Sequence, residues 1–127
     1  MILLDTNYLI RVLVPDSVEA ERVTDWYQAH EDLCTSSVAW YEFLCGPVDD
    51  EGILIVQSLL QGRVLPFTAD QAAESARLHN ATGRKRGLRV DAMIAAAAII
   101  ANAELATGNV VDFSNFKPFG LRLAEIR

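Results

Sequence analysis

The sequence predicts an α/β fold of three layers (α/β/α), with a central, mainly parallel sheet of four or five strands between helices. Three observations carry that reading. Short, continuously apolar runs recur along the chain, as expected of strands covered on both faces. Helical patterns with their own capping residues separate these runs, and strand–helix alternation from end to end is the rhythm of a parallel sheet. The length of 127 residues suits one core, so residues 1–127 are expected to form a single domain.

The elements follow in order. Ile2-Leu3-Leu4 is the first strand. Asp16, with Glu19 three places on, reads as a capping box after Pro15, and Val23, Trp26, Tyr27 and His30 then recur at helical spacing. Leu33-Cys34-Thr35 is a second strand. Ser36 or Ser37 caps a helix over Val38 to Leu44 that stops at Gly46-Pro47. Asp49-Asp50-Glu51 suit the positive amino end of the next helix, with Ile53, Val56 and Leu60 inward and Gly62 as its stop. Val64-Leu65 is a third strand. Thr68 and Gln71 open a helix running toward His79. Gly83 to Gly87 is a basic loop, and Asp91 opens an alanine-rich helix over Ala92–Asn102. Leu105-Ala106-Thr107 and Leu121–Leu123 are the last two strand candidates.

Composition narrows the class. Hydrophobic residues make up 51% and charged residues 22%, the balance of a globular chain. The longest apolar stretch, Ala92 to Ala101, falls well short of the roughly 20 residues a bilayer span needs. The amino terminus carries no basic segment before an apolar one, so no signal peptide and no membrane partner are expected, and the cytoplasm is the default location. Cys34 and Cys45 form no disulfide framework and are read as buried free thiols. His30 and His79 have no neighbouring ligand at metal spacing and are read as helix-surface or partly packed residues.

The net charge of −6 is uneven: residues 1–63 carry 11 acids against 3 bases, and residues 64–127 carry 6 against 8. An acidic chain is a poor general binder of nucleic acid. Divalent cations held by acids would reverse the local field, however, so the balance argues against metal-free phosphate binding more than against metal-dependent phosphate chemistry.

Four acids stand against apolar segments rather than on solvated faces. Asp5 follows the first strand, at the carboxyl end where open α/β sheets keep their chemistry. Glu42 lies between Tyr41 and Phe43, Asp91 precedes the alanine helix, and Asp112 follows Val110-Val111. Each has an ordinary alternative: Asp5 and Asp91 as helix caps, Glu42 as a solvated helix residue, Asp112 as a turn residue. Taken together they suit a hard cation such as Mg²⁺, which takes oxygen ligands and pairs with substrate phosphate. The chain offers no convincing nucleophile–base pair, which leaves the acids as the chemical candidates.

The four segments MILLDTN, SSVAWYEFLCGP, RVDAMIAAAAIIANA and LATGNVVDFSNF, in that order and spacing, resemble the PIN-domain ribonucleases, and among them the VapC-type toxins of bacterial toxin–antitoxin pairs. The resemblance spans nearly the whole chain. It implies a PIN-like fold and a metal-dependent endoribonuclease that hydrolyses RNA phosphodiester bonds with a metal-activated water. Asp5 matches the family's first metal-binding aspartate, Glu42 the glutamate before the helix-ending glycine, Asp91 the aspartate opening the alanine-rich helix, and Asp112 the acid before Phe113. Those four would hold Mg²⁺, or Mn²⁺ in its place. Thr6 and Asn109 match polar positions that orient ligands or water. Many relatives have Asp where Asn109 stands, which leaves open whether Asn109 or Asp112 completes the outer site.

The resemblance also implies an RNA substrate, a homodimer, and a small cognate antitoxin protein that joins the toxin in a hetero-oligomer. Arg84, Lys85, Arg86 and Arg89 would steer the RNA backbone, or else form a solvated loop. Trp26, Tyr27, Trp40, Tyr41 and Phe43 supply aromatic surface for a dimer face or antitoxin groove, with Trp40 or Phe43 assigned to the core. Two rivals belong to other classes. A dehalogenase-like phosphatase would need a second Asp where Asn7 stands. A PIN-like scaffold that binds a protein or RNA without catalysis would usually have lost acids that this chain retains.

Overall fold

A computed structural model describes residues 1–124. Its elements are β1 (Ile2–Leu4), α1 (Thr6–Arg11), α2 (Val18–Gln28), β2 (Leu33–Ser36), α3 (Ser37–Cys45), α4 (Asp50–Leu60), β3 (Val64–Leu65), α5 (Ala69–Ala81), α6 (Arg89–Ile100), β4 (Glu104–Ala106) and α7 (Val110–Phe113). Short 3₁₀ turns occupy Arg86–Leu88 and Ser114–Phe119.

The strands form one four-stranded sheet in the order β3-β2-β1-β4. Every pairing is parallel, with Ile2 opposite both Leu33 and Glu104, and Thr35 opposite Val64. The expected mainly parallel sheet is thus wholly parallel among the described residues. Leu121–Leu123 does not become a fifth strand: Leu123 makes one isolated parallel bridge to Leu105. A strand here would have to continue from Gly120, whose φ of 111° turns the chain sharply just before.

Topology places the site. From β1 the chain steps to β2 and then β3 in one direction, and from β3 it crosses back to β4 on the far side of β1. Right-handed crossovers put the first two connections on one face of the sheet and the third on the other. The direction of winding reverses between β1 and β4, and the crevice beyond their carboxyl ends is where such sheets bind ligands.

Burial explains the strands' composition. Every residue of β1 and β2 is buried, so neither can alternate polar and apolar side chains. Thr35 and Ser36 are the polar members; Thr35 Oγ1 donates to the Leu4 carbonyl at 2.8 Å, tying the ends of β1 and β2. Each fully buried leucine in this layer, such as Leu3, Leu4 and Leu33, removes enough apolar surface from water to contribute roughly 2–3 kcal/mol. In α6, Ala95 to Ala98 are completely buried, and such small side chains let α5 and the sheet approach closely.

Several local expectations shift. The cap of α2 is Ser17, whose Oγ accepts from the Ala20 N–H at 3.0 Å; Asp16 instead takes a left-handed conformation at φ 63°. Ser36 is the cap of α3, accepting from the Ala39 N–H at 3.0 Å. Asp49 and Thr68 cap α4 and α5. Helix α4 ends on Gln61 in the left-handed region, one residue before Gly62. Helix α2 stops at Gln28, so His30 lies beyond it, exposed. Phe43 and Tyr8 are core residues, Trp26 stacks on Tyr8 with ring centroids 6.0 Å apart, and Trp40 packs on Phe43 at 5.2 Å. Tyr27 and Tyr41 are exposed. Cys34 is buried, but Cys45, expected to be buried too, is exposed. It is the last residue of α3, two turns beyond the cap and past the buried stripe of Ala39 and Phe43.

Candidate metal centre at the carboxyl edge of the sheet

Asp5 begins where β1 ends. Its N–H donates to the Ala106 carbonyl at 2.9 Å, so the ends of β1 and β4 are clasped at the reversal point. One carboxylate oxygen, Oδ1, accepts the Thr6 N–H at 2.7 Å at the start of α1. The other, Oδ2, accepts the Thr107 hydroxyl at 2.7 Å. Capping and site membership, which looked like rival readings in the sequence, are therefore properties of the same buried carboxylate. Burial raises its pKa most; the Thr107 and Thr6 hydrogen bonds oppose that rise, and the charge of Glu42 adds to it.

Thr107 is a site residue that the sequence pattern assigned to a strand. Strand β4 ends at Ala106, so Thr107 stands to β4 as Asp5 stands to β1: the first polar residue past a buried apolar run. That equivalence was the available signal. The Thr107 hydroxyl also accepts the Asn109 N–H at 2.9 Å, which carries the network onward.

The outer acids each have a partner. Thr6 Oγ1 donates to Glu42 Oε1 at 2.8 Å, joining α1 to the exposed face of α3. Asn109 Nδ2 donates to Asp112 Oδ2 at 3.0 Å. Asn109 and Asp112 are thus bonded to each other, the amide acting as donor and the carboxylate as charge. A continuous path runs from Glu42 through Thr6 and Asp5 to Thr107, Asn109 and Asp112.

Asp91 differs from the others. It does not cap α6: Leu88 occupies that position without a side-chain hydrogen bond, and Asp91 lies within the first turn, half-buried. Its carboxyl is pushed up to about 6, first by burial and then by the charges of Asp5, Asp112 and Glu42. All three other candidate acids are therefore close enough to raise the cost of its ionisation. Asp5 and Asp91, both opposed by burial and both facing neighbouring negative charge, leave an electrostatic deficit that a cation would relieve.

The site is open rather than closed. Among the described residues, no three His, Cys, Asp or Glu side chains converge into a complete metal-binding set. Glu42 is held by Thr6, and Asp112 by Asn109. An all-protein cage is not what Mg²⁺ requires, since it keeps several waters and takes one or two carboxylates with substrate phosphate. The donor set fits such an ion.

Arg84, Lys85, Arg86 and Arg89 are all exposed. Arg84 adopts φ 56° and its Nε donates to Asn80 Oδ1 at 3.1 Å. Arg89 is the first residue of α6, two places before Asp91. His79 is partly packed on α5, with its Nδ1 buried and unpaired among the described residues. No helix of the described residues is long and apolar enough to cross a membrane.

Comparison with known proteins agrees with the fold. The solved structure of FitAcB from Neisseria gonorrhoeae is similar, with a TM-score of 0.73 and 26% identity over 98% of this chain and 97% of that one. A toxin–antitoxin complex from Klebsiella pneumoniae contains a chain with a TM-score of 0.67 and 24% identity, over 90% and 91%. VapBC2 from Rickettsia felis, solved with a DNA fragment from their promoter, contains one with 0.71 and 20%, over 100% of both. The last two likenesses speak for the fold alone. No curated protein matches the chain by sequence. The sequence pattern of the PIN domain matches residues 2–116, and the chain belongs to the PIN domain family.

Proposed function

We propose that this protein is a metal-dependent endoribonuclease and the toxin of a toxin–antitoxin pair. The observation that carries the reading is the gathering of acids where the sheet reverses: Asp5 is held at the end of β1 by Thr6 and Thr107, and the charges of Asp5, Asp112 and Glu42 all act on Asp91. Asp5 and Asp91 would hold Mg²⁺ or Mn²⁺, with Glu42 and Asp112 completing the pocket directly or through water. Such an ion supplies Lewis acidity toward a phosphoryl oxygen and a hydroxide-like nucleophile from water at neutral pH.

The chain's own residues do the positioning. Thr107 and the Thr6 N–H fix both oxygens of Asp5. Thr6 holds Glu42, and Asn109 holds Asp112, so the outer charges keep their places when substrate arrives. Arg84, Lys85, Arg86 and Arg89 draw the phosphate backbone toward an otherwise acidic face.

The relatives that are toxin–antitoxin complexes support an antitoxin partner. An apolar hollow lined by Ile10, Leu13, Phe43, Pro47 and Val48, beside the exposed Leu44, offers surface for that partner or for a homodimer. The cytoplasm, where RNA and antitoxin meet, is the place of action. The alternative of a non-catalytic scaffold has one observation in its favour: no three acids converge among the described residues.

Cleavage of structured RNA with Mg²⁺ by the wild type, lost in Asp5→Asn and in Asp91→Asn, is the expected result. Full metal-dependent activity in both variants would overturn the assignment. Calorimetry with Mn²⁺ separates the scaffold, which would bind none.

A further inference from the structure

Asn109 stands where a helix cap belongs and does not act as one. It is the residue before α7, and Asn is a favoured cap, yet its side chain makes no capping hydrogen bond. Its nitrogen donors go to the acid site instead. The amide donates to Asp112 Oδ2 at 3.0 Å and the backbone N–H to the Thr107 hydroxyl at 2.9 Å.

The direction of these bonds is fixed. A backbone N–H can only donate, so the Thr107 oxygen accepts from Asn109 and commits its single proton to Asp5 Oδ2, at 2.7 Å. An ionised carboxylate can only accept, so the Asn109 amide turns its nitrogen to Asp112. Thr107 is 6% exposed, which leaves water little room to replace either partner. Thr6 makes a different joint. It holds Asp5 Oδ1 through its backbone N–H and Glu42 Oε1 through its side chain. Loss of the Thr6 hydroxyl frees Glu42 and leaves the bond to Asp5 in place. Loss of the Thr107 hydroxyl unfastens Asp5 and Asn109 together.

We propose that Thr107 is a positioning residue that couples Asp5 to Asp112 through Asn109, so that these two acids act on a bound cation as one unit. This rests on the metal-centre reading above. The charges of both acids act on Asp91, so a displacement of either reaches the carboxylate between them and the ion. Glu42, on the separable joint, contributes independently of Asp112.

The test is a double-mutant cycle on the intact protein, with Mn²⁺ alone as the probe and its affinity read by calorimetry. In the wild type, Asp112→Asn and Asn109→Ala are each expected to weaken Mn²⁺ binding about tenfold, the scale of a residue that acts on a metal through its neighbours. In Thr107→Val, adding Asp112→Asn changes the affinity by about twofold or less, the margin within which independent effects add. Thr107→Ser restores the tenfold cost. In Thr6→Val, Asp112→Asn keeps its full cost, which a general loosening of the site would not allow. A tenfold cost that persists in Thr107→Val overturns the proposal, as does one that disappears equally in Thr6→Val. Unchanged affinity in Asn109→Ala overturns it without recourse to any Thr107 variant. Each of these results leaves the metal centre standing. A wild type that binds no Mn²⁺ overturns the metal reading and the coupling with it.

Discussion

Replacing Asp91 with Asn should stabilise this protein in the absence of metal while destroying the proposed ribonuclease activity. The folded carboxyl keeps its proton up to about pH 6, against an ordinary value of 3.8. Between those values the folded state binds more protons than the unfolded one, so stability falls as pH rises through that window. Above pH 6 the whole penalty stands. At ~1.4 kcal/mol per pH unit the displacement corresponds to roughly 3 kcal/mol. Solvent screening of a half-buried group reduces this to about 1–2 kcal/mol. For a chain of this size that is a rise in Tm of roughly 4–8 °C at pH 7. The assay is thermal unfolding of wild type and Asp91→Asn in EDTA from pH 4.5 to 7.5. The gap should widen with pH and level off above 6. Added Mn²⁺ should raise the wild-type Tm by mass action and leave the variant nearly unmoved. A variant that melts at or below the wild type at pH 7, or a gap that does not change with pH, would refute the account of four mutually repelling acids.

Other consequences test separate links. Thr107→Val removes the hydroxyl donor to Asp5 Oδ2 and the acceptor for the Asn109 N–H; a loss of about 1–3 kcal/mol in denaturant unfolding is expected, with sharply reduced metal affinity, and Thr107→Ser should recover both. Ser36→Ala strands the Ala39 N–H inside the protein, and unfolding should show a cost of about 1–2 kcal/mol. Thiol labelling of the native protein should modify Cys45 quickly and leave Cys34 untouched, because Cys34 is buried and its thiol is pushed up to about 11; equal labelling would show that β2 opens readily. Arg84→Ala with Lys85→Ala and Arg86→Ala should weaken RNA binding and flatten its dependence on salt concentration, a result readable by titration at several ionic strengths.

The sequence alone carried the periodic part of this protein. Apolar runs bounded by caps placed β1 to β4 and the major helices, because burial on both faces and satisfaction of helix ends are local demands written in consecutive residues. The four acids were also legible, since a charge abutting an apolar run contradicts the local pattern. Boundaries failed where the backbone could satisfy its needs in more than one way. Ser17 rather than Asp16 became the cap of α2, and Gln61 rather than Gly62 closed α4. Leu121–Leu123 had strand composition, but only one bridge to Leu105 formed.

What the tertiary structure decided was relation. Asp5 and Thr107 are 102 positions apart and share a hydrogen bond because β1 and β4 are adjacent where the sheet reverses. No periodicity in the chain encodes that adjacency, which is a property of strand order. The same holds for Asp91, which its apolar neighbours single out in the sequence but whose carboxyl is pushed up to about 6 only when folding buries it and brings Asp5, Asp112 and Glu42 around it. Residue type is a local fact, whereas the free energy of an ionised group depends on its surroundings, and those exist only in the folded chain.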